Sequence, residues 1–475
     1  MTGRRRPSSP RPFPRALVAA TAATACTAVL ASLLSACGSL PGAPGGSGEK
    51  EPLTVMTWAP VDTKATNMPG MPAMAEAYAR WVNSRGGLDG HPLKVVTCNE
   101  HNDSVAAARC AQRAVDAKAV AVVGSYSQFG RSFISPLERN GIPYLGGYGV
   151  SDEEFASPLS YPVNGGQAAL LAGNGRQLAS VCERVSLVRP DTIQGDQMPA
   201  LLSAGLADGS RAAAKDVRAP EDGTDYADAA RRALDGVGAA TGAADATGAA
   251  GTAGTAGTAG TAKGAAGTAK GAAGAAKGAG GCVTATLGER TDTFFDSFRR
   301  LQPDGSKVRI ASVLGSVGQA LVDRTGGRAG PLEGAYLTGW YPVASDPRWN
   351  PMRKVINDHA FGDNRIDPAD PGVQTTWIAY TVLRAVVERL GKEGVEDITA
   401  HTVQQSLDRS AQAVDTGGLT PKLRWRSEDM LAVQDFPRTV NALVTYQAVR
   451  DGQLVAAKEG FVNVAGTLEK PRADG

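Results

Sequence analysis

Residues 93–123, LKVVTCNEHNDSVAAARCAQRAVDAKAVAVV, decide how this chain folds. Leu93 to Thr97 reads as a strand, and Ser104 to Ala117, beginning after Asp103, carries apolar residues at helical spacing. Ala119 to Val123 is again strand-like and stops at Gly124. Strand, helix and strand in so short a stretch form a βαβ unit, which requires a parallel sheet. The pattern extends both ways. Leu53 to Trp58 is a strand and Ala73 to Asn83 a helix that stops at Gly86-Gly87, while Phe133 to Arg139 is a helix before the strand Ile142 to Leu145.

A second cycle repeats the theme. Strands are predicted at Val185 to Val188, Ala214 to Val217, Val283 to Leu287, Val308 to Val313 and Gly334 to Gly339. Helices are predicted between them at Met198 to Leu206, Tyr226 to Leu234, Asp292 to Leu301 and Val317 to Asp323. Two sets of similar size predict an α/β protein with two lobes around a cleft, rather than one sheet. One segment does not fit. Residues 236–281 are nearly all Ala, Gly, Thr and Lys, including GTAGTAGTAGTA, and beyond Val237 they offer no bulky apolar side chain to offset ordering entropy. This segment is read as a disordered loop inserted between a helix and the next strand of the second lobe.

The start of the chain has its own logic. Arg4, Arg5, Arg6, Arg11 and Arg15 precede an almost wholly apolar stretch from Ala16 to Leu34, the pattern of an export signal. Leu34-Ser35-Ala36-Cys37 resembles the lipobox of bacterial lipoproteins, whose peptidase cuts before the cysteine and whose cysteine sulfur carries a diacylglycerol. The alternative is an uncut anchor, since about nineteen apolar residues just span a bilayer. Gly38 to Pro52 is a Gly/Pro/Ser-rich spacer that reaches about 50 Å when extended. The net charge of +2 includes the signal's arginines, so the remainder is near neutral or slightly acidic, and nothing points to a nucleic-acid face. Of six cysteines, Cys26 leaves with the signal and Cys37 is the lipidation candidate. Cys98, Cys110, Cys182 and Cys282 remain, an even number with three possible pairings in an oxidising compartment.

Residues 81–96 (WVNSRGGLDGHPLKVV) resemble the opening of type I periplasmic binding proteins, closest to the leucine or branched-chain amino acid-binding class. Residues 122–127 (VVGSYS), 137–144 (LERNGIPY), 415–421 (DTGGLTP) and 441–444 (NALV) follow in the family's order. The resemblance implies two Rossmann-like lobes, each a parallel sheet flanked by helices, joined by a multi-strand hinge of three crossovers and closing on a small ligand. It divides the chain into a signal (1–36), a lipidated cysteine and linker (37–52), first lobe (53–163), second lobe (164–342), a return to the first lobe (343–392), and a C-terminal part mainly in the second lobe (393–475). In the implied strand order 2-1-3-4-5 the strands starting at Val185 and Val283 are neighbours, which suits a Cys182–Cys282 bridge.

Ligands of open α/β sheets sit beyond the carboxyl ends of the strands. The resemblance assigns Ser127, with Ser125 nearby, to a ligand carboxylate. Gly149-Val150-Ser151, with Tyr148 beside it, takes the place where relatives hold the ligand's main-chain groups, although Ser151 before Asp152 and Glu153 is also a helix cap. Trp58 is expected as an apolar wall, with core packing as its rival role, and Tyr126 as a stacking face. Relatives place an acid after the fourth strand of the second lobe to hold an ammonium group. This chain has Gly315-Ser316-Val317-Gly318 there, leaving Ser316 on the rim and Glu289 as the substitute.

No catalytic constellation competes. Cys98 lies near His101 but has Cys110 available as a partner. His91, His101 and the cysteines lack CxxC or HExxH spacing, and Ser125 and Ser127 lack a GxSxG elbow. The expectation is a non-enzyme with no cofactor and no metal: a monomeric lipoprotein outside the cytoplasm, held to the membrane by lipid, passing a small solute (branched-chain amino acid-like, amide or related) to the permease and ATPase of an ABC importer. A stand-alone sensor of the same fold is the alternative.

Overall fold

Strand β1 (Leu53–Ala59) is buried at every position but one, which is the signature of a parallel strand covered on both faces. This is seen in a computed structural model that describes residues 50–238, 279–302 and 308–470. The expected signal, Cys37, most of the linker and most of the insertion lie outside the described residues. After β1 come α1 (Gly70–Asn83), β2 (Leu93–Asn99), α2 (Ser104–Asp116), β3 (Ala121–Val123), α3 (Gly130–Arg139), β4 (Tyr144–Leu145), α4 (Glu153–Ala156) and β5 (Ser160–Tyr161). The five strands pair in parallel in the order β2-β1-β3-β4-β5. Asp103 starts α2 by accepting a bond from the Ala106 N–H.

The second lobe opens with α5 (Gly166–Ala179) and runs through β6 (Cys182–Pro190), α6 (Met198–Asp208), β7 (Lys215–Ala219), α7 (Ala227–Gly236), β8 (Ala279–Ala285), α8 (Thr291–Leu301), β9 (Arg309–Val313), α9 (Gln319–Arg324) and β10 (Tyr336–Gly339). Then α10 (Asn350–His359), α11 (Pro371–Lys392) and α12 (Ala400–Arg409) pack with the first lobe's core. β11 (Leu443–Arg450), β12 (Gln453–Ala456), β13 (Val462–Asn463) and α13 (Ala465–Leu468) finish the second. Its sheet runs β12-β11-β10-β9-β8-β6-β7, with β13 on β11. β6 to β10 are parallel, in the expected 2-1-3-4-5 order, and β11 is antiparallel to β10.

Three details correct the reading from sequence. The return to the second lobe comes later than residue 393: Val403, Leu407, Val414, Leu423 and Trp425 share the first lobe's core, and side chains join the second lobe's from Leu431 onward. The insertion is shorter than 236–281, because Gly236 still ends α7 and Ala279 to Gly281 already pair along β6. Helix α5 has no predicted counterpart. It is buried nearly all round, so it lacks an apolar stripe. Gly175 and Gly205 let α5 and α6 meet backbone to backbone: a Cβ on either would strike a carbonyl of the other helix.

Both pairs of cysteines are bonded. Cys98 joins Cys110 between β2 and α2, with Cα atoms 5.8 Å apart, and Cys182 joins Cys282 between β6 and β8, at 5.9 Å. The chain passes between lobes three times: after β5, after β10 and between Trp425 and β11. These crossings are bonded to one another. Asn441 Nδ2 donates to the Val163 carbonyl, Trp425 Nε1 to that of Pro162, and Asn164 Nδ2 to Tyr341 Oη.

Candidate functional site

Between the lobes, beyond the carboxyl ends of both sheets, lies a cavity of about 100 Å³. The first lobe contributes Thr66 and Met68 from the β1–α1 segment, Tyr126 and Gln128 from the β3–α3 loop, and Tyr148 to Val150 from the β4–α4 loop. The second contributes Thr192 and Gln194 after β6, Thr286 to Gly288 after β8, Val313 to Ser316 at and beyond β9, and Trp340 after β10. Parallel strands all end at the same edge of a sheet, so their loops converge there. The aromatic rings form a continuous run. Tyr126 and Tyr148 have centroids 5.2 Å apart, and Tyr148 meets Trp340 edge-on at 5.1 Å. Burial raises both phenols well above the ordinary tyrosine range, so they stay neutral.

The rims are latched to each other. Gln128 Nε2 donates to Glu221 Oε1 at 2.9 Å, and Gln194 Nε2 donates to the Gln128 carbonyl at 2.6 Å. Gln197 Nε2 reaches Asp152 Oδ2 at 2.7 Å, Asn67 Nδ2 reaches Glu289 Oε2 at 3.1 Å, and Arg290 Nη2 reaches the Lys64 carbonyl at 2.6 Å. Each of these bonds crosses the cleft, so the lobes are described in a closed arrangement.

Of the residues expected at the site, Tyr126, Tyr148, Gly149 and Ser316 line this cavity, and five do not. Trp58 is fully buried on the other face of the sheet, with its ring 5.4 Å from Phe133 and 5.9 Å from Tyr144. Successive strand residues point to opposite faces, so a residue near a strand's end still projects into a layer rather than over the edge. Ser125 Oγ is buried and accepts the Trp58 N–H. Ser127 Oγ donates to Glu100 Oε2 and accepts the Phe129 N–H, both at 3.1 Å. Ser151 bonds to Glu154 through its N–H and its hydroxyl. Glu289 stands at the cleft mouth on Asn67 and lines a neighbouring groove instead. Gln128, Gln194 and Trp340 were not foreseen. Their signal was their place: Gln128 directly follows the quoted 124–127 turn, and Trp340 follows a strand end.

The family model described as periplasmic binding protein matches residues 63–286. Over that stretch the chain is similar to the periplasmic binding proteins. Its fold is shared with a branched-chain amino acid ABC transporter from Thermus thermophilus with bound valine (14% identity, TM-score 0.63, covering 88% of this chain and 98% of that one). It is also shared with a possible leucine/isoleucine/valine-binding protein from Rhodopirellula baltica (11%, 0.63, 87% and 98%). A third is a solute binding protein of an ABC transporter from Rhodopseudomonas palustris in complex with 3,4-dihydroxybenzoic acid (12%, 0.62, 86% and 97%). No curated protein matches the chain significantly.

The first lobe holds a pair of buried carboxylates near the cleft. Glu154 Oε2 accepts the Gly149 N–H, and its Oε1 accepts the N–H groups of Val150 and Ser151, each at 3.0 Å. Glu100 accepts Ser127 Oγ and the Asn102 N–H. Desolvation pushes both up to about 7, against the bonds they accept. Among the described lining residues there is no Lys, Arg or His, and the one acid, Glu221, is bonded to Gln128. Arg189, one residue before the lining Pro190, is held by Asp196 and Asp216. No three His, Cys, Asp or Glu among the described residues converge as metal ligands.

Proposed function

We propose that this chain is the extracytoplasmic solute receptor of an ABC importer, lipidated at Cys37, which captures a small molecule between its lobes and presents the closed form to a permease pair. The observation that carries this reading is the cavity at the meeting of two strand-end rims, flanked by hydrogen bonds that exist only when the lobes are together. Closure around a solute excludes water and strengthens each polar contact inside. Tyr126, Tyr148, Gly149 and Ser316 are the proposed ligand contacts, joined by Gln128 and Trp340. The molecules bound by two structural relatives, valine and 3,4-dihydroxybenzoic acid, are solutes of the size this role requires. None of the helices in the described residues is long and apolar enough to cross a membrane.

The test is a ligand screen on the purified full chain by thermal unfolding. A solute at a hundredfold excess over Kd should add about 2.7 kcal/mol of stability, and a chain that no small solute stabilises refutes the role. Metabolic labelling with an alkyne fatty acid, lost in Cys37→Ser, tests the anchor.

A further inference from the structure

The resemblance assigns Ser127 and the Gly149–Ser151 turn to a ligand's carboxylate and main-chain groups, yet the protein's own carboxylates already occupy these donors. Glu154 takes three consecutive N–H groups and the Ser151 hydroxyl. Glu100 takes the Ser127 hydroxyl. Both acids are buried; Gly149 and Val150, whose N–H groups Glu154 takes, line the cavity, whereas Ser127 and Glu100 lie outside its lining. The cavity wall supplies no cation in compensation, since its described lining holds no Lys, Arg or His and Arg189 is bonded to two aspartates. An ammonium group fares no better: Gly315 and Ser316 stand at the position where an acid would meet it, Ser316 Oγ accepts the Gly288 N–H, and Glu221 is bonded to Gln128.

The remaining surface has a consistent chemistry. Tyr126, Tyr148 and Trp340 make an aromatic wall, facing apolar side chains such as Met68, Met198 and Leu314. Neutral amides and hydroxyls, among them those of Gln128, Gln167, Thr192 and Thr286, supply the polar groups beside one carboxylate, Glu221, which accepts from Gln128. The cavity's 100 Å³ is of the order of the ~150 Å³ known to admit benzene. A buried charge without a partner is strongly disfavoured, whereas a flat neutral body fits such a wall.

We infer that the ligand is an uncharged small molecule with a flat or branched apolar body and a neutral hydrogen-bonding head, and that Glu154 excludes carboxylates by filling the backbone donors of the cavity wall. This rests on the solute-receptor reading and narrows it to a substrate class.

Matched pairs test it. The full chain is titrated with 4-hydroxybenzamide against 4-hydroxybenzoate, and with isovaleramide against isovalerate and leucine, by calorimetry and thermal unfolding at pH 8. The expected result is that at least one amide binds and its carboxylate partner binds at least 100-fold more weakly. In Glu154→Gln the gap should narrow at least tenfold. Carboxylates that bind as tightly as their amides overturn the inference and leave the receptor reading standing. Discrimination that survives this substitution overturns the role given to Glu154. If no member of any pair binds, the inference falls, and the wider solute screen decides the receptor reading.

Discussion

The hydroxyl of Tyr148, on the first lobe's rim, fills the space in which a side chain on Gly315, on the second lobe's rim, would begin. Gly315 also has φ of +97°, a conformation that side chains resist. Gly315→Ala should therefore strain its own loop by about 1–2 kcal/mol and hold the lobes apart. Affinity should fall at least tenfold and small-angle scattering should show a larger radius with ligand present. Tyr148→Phe in the same chain removes the hydroxyl and should restore part of the closure. If it restores none, the two residues do not meet in the closed form.

Trp58 and Ser127 should report on stability rather than on ligand. Trp58→Ala leaves a hole beside Phe133 and Tyr144 and should lower unfolding free energy by about 3–5 kcal/mol. Ser127→Ala strips Glu100 of a donor, at a cost of about 1–3 kcal/mol. Denaturant unfolding measures both, and an affinity change above about threefold in either variant would return these side chains to the ligand site.

The pH dependence follows from the two buried acids. Glu100 and Glu154 ionise near 7 in the fold, against an ordinary value of 4.5. The folded chain therefore holds more protons than the unfolded one between those values, and stability declines as pH rises through 7. The stabilisation is complete below the unfolded value and amounts to roughly 3 kcal/mol per carboxyl. Asp208, Asp346 and Asp363, lowered by basic partners, lose their contribution only at more acidic pH. Urea midpoints should thus fall from pH 5 to pH 8, and Glu154→Gln should flatten the slope; a profile that rises over this window refutes the assignment.

Gln128 joins the two rims through its amide. Gln128→Ala removes one cross-cleft bond worth about 0.5–1.5 kcal/mol, so affinity should drop roughly two- to tenfold with the unfolding of unliganded protein little changed. Titration calorimetry on the variant checks this, and an unchanged Kd would mean that the latch does not contribute to capture.

The fold was legible because parallel sheets advertise themselves. β1, β2 and β3 are short apolar runs with helices of clear period between them, and the second set repeats this. Helix α5 was not legible, because a helix buried on every side has no polar face to create a period. The cavity's lining was half legible. Tyr126, Tyr148, Gly149 and Ser316, read from strand ends, do line it, since topology places every such end on one rim. Trp58, Ser125, Ser127 and Ser151 lie outside it: at a strand end, one residue decides between the rim and the layer beneath, and that depends on side-chain direction and on distant acids such as Glu100 that no local pattern links to them.

The Cys182–Cys282 bond has a consequence for the integrity of the chain. It brackets the whole Ala/Gly/Thr/Lys stretch, so a protease that severs the backbone anywhere between the two cysteines yields fragments that migrate as one species until a thiol is added. An enzyme outside the cell that snips this stretch would leave both sheets, and the crevice between them, on a single covalent body.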